Sequence, residues 1–271
     1  MISDQVTIVV RGGGDIATGS IYRLCKAGFS IVVLEIEKPR VVRRAVAAAQ
    51  CVFVGQHTVE GVAFQQVDIG GIKSVSPGII PVVVDPAGQT INKVNPNILI
   101  DARMLKKNID SSCDLADLVV GLGPGFIVGD NCDVVVESQR GHNLGRVYSD
   151  QGSSAVPDTG VAEQLNGYGA ERVLRAPCAG IIQSKAVIGD MLLDGEIVAS
   201  VGGQEVLSPF SGVLRGLIQT GLEVHEYDKI GDIDPRGIKE YCFQISDKAL
   251  AIGGGVLEAV LTWMSRARLQ G

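Results

Sequence analysis

A β-branched strand that runs into a glycine-rich turn and then a helix constrains this chain more than any other feature. Val6–Val10 has the composition of a central parallel strand. Gly12-Gly13-Gly14-Asp15-Ile16-Ala17 follows and fits G-x-G-x-x-A. In that pattern Gly12 permits the tight turn, Gly14 lets a pyrophosphate approach backbone N–H groups, and Ala17 lets helix and strand pack closely. The helix, expected over Ile16–Lys26, would add free N–H donors and a partial positive charge, with Gly28 as its stop. Asp15 is expected to act as the N-cap, its side chain turned back on the helix. Ile31–Ile36 reads as the next strand, Val41–Ala49 as the next helix and Cys51–Val54 as a third strand. This alternation predicts a Rossmann-like, doubly wound parallel sheet. Glu35 lies 21 residues beyond Gly14, where a carboxylate would accept hydrogen bonds from a ribose diol; Glu37 competes for that role.

Further strands are expected at Ile79–Val84, Ile98–Ile100, Leu118–Leu122 and Val134–Glu137. The loops that follow them offer other candidates, since open α/β sheets place ligands at the carboxyl ends of their strands. Gly121, Gly123 and Gly125 have the spacing to expose N–H donors to a second anionic group, or to form an ordinary turn. Arg140 offers a two-pronged fork to phosphate or carboxylate. His142 reads either as a proton carrier or as a polar residue with its own partner, and Asp101 with Arg103 as an ion pair bracing the sheet.

The net charge of −6 and the absence of a concentrated basic stripe exclude a nucleic-acid partner. Arg40, Arg43 and Arg44 form the only basic knot, suited to one anion pocket or to a solvated helix face. No apolar run approaches the roughly 18 residues of a membrane span, and the opening residues lack the pattern of a secretory signal. The six cysteines contain no CxxC pair, which argues against a disulfide framework and against a zinc or iron–sulfur site. Only Cys113 and Cys132 fall in polar loops where a reactive thiol is credible. A cytoplasmic chain without a bound metal is expected. No Ser-His-Asp order, HExxH or P-loop can be assembled, so no catalytic residue is assigned.

After Gly169 the chain repeats itself. Ala176-Pro177-Cys178-Ala179-Gly180 recurs as Ser208-Pro209-Phe210-Ser211-Gly212, and the offset of 32 residues holds at Gly189/Gly221 and Leu192/Val224. Such register marks an internal duplication and predicts a compact all-β module. The Pro-x-x-Gly repeats resemble the barrel-sandwich hybrid of biotinyl and lipoyl carrier domains. Those carriers present a modified lysine on the central hairpin; here that hairpin, 200–206, has none, and Lys185 and Lys229 lie in the strand-bearing halves. A docking role follows for the module. The expected organisation is a nucleotide-binding α/β domain over 1–169, an inserted β module over 170–235, and a helical segment over 236–271 that returns to the first domain, with Ser246 as a candidate N-cap.

Several blocks together, namely Arg11–Gly19, Glu37-x-Pro39-x-x-x-Arg43-Arg44-x-Val46, Val59–Val62, Gly121–Phe126 and Glu137–Gly145, resemble the YqeB family. The glycine-rich half is also similar to the Rossmann part of XdhC-type chaperones. The resemblance implies an accessory of selenium-dependent molybdenum hydroxylases, with the hydroxylase as partner and a nucleotide, dinucleotide or molybdopterin-type ligand on Gly12–Gly14 and Glu35. An NAD(P)-dependent oxidoreductase is the alternative, which would need a proton donor such as His142. A structural module with a vestigial nucleotide fold is the third reading, and self-association stays open.

Overall fold

The computed structural model describes residues 6–158, 160 and 166–270, with side chains described as far as 267. Residues 1–5, part of the opening read above as lacking a secretory signal, lie outside that set.

The chain starts with β1 (Thr7–Arg11), α1 (Asp15–Lys26) and β2 (Ser30–Glu35). Leu24, Cys25, Gly28 and Phe29 close α1: the Phe29 N–H donates to Leu24 O and the Gly28 N–H to Cys25 O. Gly28 takes the left-handed conformation this arrangement requires, at φ +84°. Val41–Ala49 is not a helix but a loop with two 3-10 turns, and Cys51–Val54 is not a strand but the short helix α2. Tertiary bonds override local propensity here. Ala48 donates its N–H to Thr18 Oγ1 at 2.9 Å and Ala49 donates to Gly13 O at 2.8 Å, which pins the segment flat against the glycine turn.

The remaining elements of the first lobe are β3 (Gln56–Val59), β4 (Val62–Val67), β5 (Ile79–Val84), α3 (Gln89–Val94), β6 (Ile98–Asp101), β7 (Leu118–Leu122), β8 (Val134–Val136) and β9 (Val147–Tyr148). They form one nine-stranded sheet in the order β3-β4-β5-β2-β1-β6-β7-β8-β9. Its centre is parallel, but β3 pairs antiparallel with β4 at one edge and β9 antiparallel with β8 at the other. The expected doubly wound parallel sheet is therefore corrected to a large mixed sheet with few helices. One face packs on α1 and on a long C-terminal helix α4 (Asp247–Gln270); the other is covered mainly by loops and by α3, with Ile91, Phe126 and Val128 filling its core. The intervening segments are dense in Gly, Pro and Asp, so most crossovers run as loops.

Ser246 accepts the Ala249 N–H at the start of α4. Gly253-Gly254-Gly255 lies inside this helix, and backbone passes close by at Gly253 and Gly255. A Cβ on Gly253 would sit 2.5 Å from Gly19 O, and one on Gly19 would sit 2.4 Å from Ala249 O. Two helices can approach this closely only where both lack side chains.

Between these parts the chain forms β10 (Val173–Arg175), β11 (Gly180–Ser184), β12 (Met191–Leu192), β13 (Ile197–Val201), β14 (Gln204–Leu207), β15 (Gly212–Leu217), β16 (Glu223–Val224) and β17 (Lys229–Asp234). They make two four-stranded sheets, β10-β17-β15-β12 and β14-β13-β11-β16, around a separate core that includes Ile182, Val198, Leu214 and Ile230. Adding 32 to β11, β12 and β13 gives the starts of β15, β16 and β17. Each sheet thus takes two strands from either copy of the repeat.

The basic knot joins the lobes. Arg40 pairs with Asp228 at 2.8 Å and donates to Glu223 O, Arg44 donates to Leu217 O, and Arg43 donates to Tyr241 O and Gln244 O. Among the described residues no helix is long and apolar enough to cross a membrane.

Candidate functional site

The three glycines of the first turn serve three different ends. Gly12 sits at φ +92° and its N–H donates to Leu34 O at 2.7 Å. Gly13 lies under the 41–49 segment, where a Cβ would stand 2.9 Å from Ala49 N, and its N–H donates to Glu35 Oε2 at 2.7 Å. Gly14 is the N-cap of α1 with φ −63°, and a Cβ there would meet only Val41, at 4.0 Å. Gly14 therefore faces open space. No protein acceptor takes the N–H groups of Gly14, Asp15 or Ile16 among the described residues, so the first turn of α1 keeps donors available at its positive end.

Glu35 braces the turn. Its Oε2 is taken by Gly13 and its Oε1 accepts the Ile36 N–H at 2.8 Å, while burial pushes its pKa up against those two bonds. Each oxygen keeps a further lone pair for another donor. Asp15, expected from sequence to cap the helix, does not; Gly14 holds that place, and the Asp15 carboxylate lies 3.6 Å from Arg43. Ala17 is fully buried beneath the turn.

Gly12, Gly14, Asp15, Ala17, Glu35 and Arg140 all border one cleft of about 790 Å³ between the glycine turn and the β module. Its wall also contains Arg40, Arg43, Arg103, Arg172, Arg215, Lys229 and Lys248, with Asp232. Among the described residues that makes eight cationic side chains against three carboxylates, in a chain whose net charge is −6. Six of the eight, Arg40, Arg43, Arg103, Arg140, Arg172 and Arg215, are ion-paired with carboxylates, so the cationic excess is smaller than the count. Another hollow, about 970 Å³, lies at the amino ends of the strands, but of the charged types it holds only Lys73 and Lys93.

The arginines are held firmly. Arg140 forms a two-pronged pair with Asp247, with Nη2 at 2.7 Å, and this holds the Asp247 carboxyl down at about 2. Its fork thus meets a protein carboxylate, though its side chain borders the cleft. Arg172 is paired with buried Asp232 at 2.7 Å. Arg103 binds Asp101 and Asp110, each at 2.6 Å, and Arg11, which is 4% exposed, binds Asp110 at 2.8 Å. The Arg11 and Arg103 guanidiniums hold Asp110 at about 2. The carboxylate form is favoured in the folded chain, so its contribution is complete above the unfolded value near 4 and disappears as pH falls through about 2. Replacing Asp110 with Asn is expected to cost about 1 kcal/mol at pH 7, because the carboxylate is partly exposed. Urea unfolding at pH 7 and pH 2 should show that difference in full at the first pH and largely lost at the second.

The second glycine loop does not reach the cleft. A Cβ on Gly121 would strike the Phe126 ring, one on Gly123 would meet Ser138 Oγ at 2.4 Å, and one on Gly125 the Lys107 backbone at 2.5 Å. These three glycines admit protein, and the anion cradle expected there is corrected to a packed turn. Glu37 and His142 are exposed and border no part of the cleft. The two candidate thiols are quenched: burial raises Cys113, with neighbouring carboxylates adding to it, and pushes Cys132 up to about 12. All six cysteines are unbridged, and no cluster of three metal-ligating side chains occurs among the described residues.

Sequence reasoning missed Arg103 and Lys229 as cleft residues, placing Lys229 only in a strand-bearing half of the module, and missed Arg172, Arg215 and Lys248 altogether. A signal for two of them was present. At the offset of 32, Arg215 stands where the first copy has Gln183, and Lys229 where it has Ile197. The second copy alone carries these charges, and its strands β15 and β17 form the wall of the cleft.

No family model matches the chain. Some solved structures overlap it at low TM-score. They include an aspartoacylase family protein from Mesorhizobium loti (TM-score 0.27, 8% identity, 84% of each chain) and a succinylglutamate desuccinylase/aspartoacylase from Rhodobacter sphaeroides (TM-score 0.27, 14% identity, 84% of this chain and 85% of that one). Overlap at that level carries no inference about chemistry. Sequence similarity is much closer to the protein named "Uncharacterized protein YqeB" of Escherichia coli (strain K12), at 45% identity over 265 residues. That alignment takes in 97% of this chain and 48% of the relative, so the chain spans about half the length of the curated protein it matches. The chain is thus similar to that half of the YqeB protein.

Proposed function

We propose that the chain binds a phosphorylated, nucleotide-type ligand of the nucleotide, dinucleotide or molybdopterin class in this cleft, as an accessory of a selenium-dependent molybdenum hydroxylase. The observation that carries the binding reading is the gathering of eight cationic side chains around the open start of α1. Charge-assisted bonds from guanidinium and backbone N–H groups suit phosphoryl oxygens, and Arg supplies them in forked geometry. The hydroxylase association rests on the motif blocks shared with the YqeB family. The nicotinamide oxidoreductase alternative relied on His142 as proton donor, and that residue does not border the cleft.

The test is calorimetric unfolding of the purified chain with AMP, ADP, CMP and molybdopterin in turn. A ligand at 100 times its Kd should add about 2.7 kcal/mol, a rise of roughly 5–10 °C in Tm. Unchanged Tm with every one of these ligands at millimolar concentration overturns the proposal.

A further inference from the structure

The β module was expected to dock on a partner, yet its charged sheet closes the cleft opposite the glycine turn. Arg215 of β15 and Arg43 of the 41–49 segment are both largely buried, at 12% and 11% side-chain exposure. Each has a buried Nε with no hydrogen-bond partner. The carboxylates at this point are shared, Asp232 among Arg172, Lys229 and Arg215, and Asp234 between Arg215 and Arg236. Asp234 lies 3.4 Å from Arg215 but bonds Arg236 at 2.6 Å, and Asp15 stays 3.6 Å from Arg43. Burial and the neighbouring Arg43 both depress the Arg215 pKa, so the two guanidiniums feel one another across the lobe boundary. Like charges held together in a partly desolvated place are costly unless an anion joins them. Lys229, exposed at the start of β17, adds a third cation on the same wall. In the first repeat copy the equivalents of Arg215 and Lys229 are Gln183 and Ile197, and their sheet lies away from the cleft. The first copy also has Ser200 and Gly202 at the places of Asp232 and Asp234, so these cations and their carboxylates are both confined to the copy that borders the cleft.

We propose that Arg215, Lys229 and Arg43 form a second anion subsite, so that the cleft takes a ligand bearing two separated anionic groups, one at the glycine turn and one against the β module. This rests on the reading that the cleft binds a phosphorylated ligand. It turns the module from a docking appendage into half of the binding site. Asp234 keeps Arg236 as partner when Arg215 is removed, so Arg215→Gln strands no buried carboxylate.

The experiment is titration calorimetry of the full chain with AMP and with adenosine 3′,5′-bisphosphate, which differ by one separated phosphate. The unaltered chain should bind the bisphosphate at least about 10-fold more tightly than AMP. Arg215→Gln and Lys229→Gln should each remove most of that preference, weakening the bisphosphate at least about five-fold more than they weaken AMP. Equal affinity for the two ligands, or a preference that survives both substitutions, overturns the second subsite while the glycine-turn reading stands. Failure of the unaltered chain to bind either ligand overturns both. Thermal unfolding of each variant shows that loss of preference does not reflect loss of fold.

Discussion

Replacing Gly14 with valine is expected to weaken binding of phosphorylated ligands roughly 100-fold while leaving the chain folded. The three glycines of the turn differ in what a side chain would meet, and that difference makes the result diagnostic. At Gly12 and Gly13 any Cβ meets backbone at 3.1 Å or less, and Gly12 also needs a positive φ, so substitutions there damage the fold. Gly14 has an ordinary φ of −63° and its nearest neighbour stands 4.0 Å away. The valine side chain would project into the space a phosphoryl group must enter to reach the N–H groups of Asp15 and Ile16. Losing charge-assisted bonds at about 1.5–3 kcal/mol each weakens binding by roughly 100-fold. Titration calorimetry measures the loss, and thermal unfolding should place the variant within about 1 kcal/mol of the parent. A variant that binds as well as the parent shows that the ligand does not use this turn.

Gly19→Val should have the largest effect on stability. Gly19 is where α1 crosses α4, and a Cβ would lie 2.4 Å from Ala249 O and 2.7 Å from Ala249 Cβ. Backbone rather than a flexible side chain blocks the way, so the helices must separate. Separation would also open the Gly253 contact and loosen the packing of α4 on the sheet face, where Ala249, Ile252 and Val256 are buried. Overpacking of this kind costs about 3 kcal/mol, which by size scaling lowers Tm by roughly 6–12 °C. Gly254→Ala is the control. It meets nothing within 4 Å and replaces a poor helix former with a good one, so it should raise stability by about 0.5–1 kcal/mol. Denaturant unfolding of the pair tests both, and equal stabilities would contradict the close crossing.

Much of the strand pattern was legible because buried parallel strands leave a plain trace: Ile8, Val9 and Val10, or Val119 and Val120, are apolar on both faces and fully buried. The α1 boundaries were legible for a local reason, since Gly28 terminates the helix through bonds within six residues. Residues 41–54 misled because their conformation is set from a distance. Thr18, Gly13 and the β module take up their hydrogen bonds and arginines, and nothing within the segment announces it. The same holds for the site. Gly12, Gly14 and Glu35 form a motif within 24 residues, whereas Arg43, Arg172, Arg215, Lys229 and Lys248 meet only through the return of the chain. Gly121, Gly123 and Gly125 looked like an anion cradle because close approach to Phe126, Ser138 and Lys107 calls for the same residue as close approach to phosphate.

The interleaving of the two repeat copies limits how this module can be divided. In the sheet β10-β17-β15-β12 the outer strands come from the first copy and the inner two from the second; the other sheet reverses the roles. Severed at Gly203, either copy would have its inner pair unflanked and its outer pair without neighbours, so it could become solid only by clasping another strand set. A lone unit of this length is thus an obligate dimer in waiting, and the tandem chain is that dimer with its two halves joined end to end.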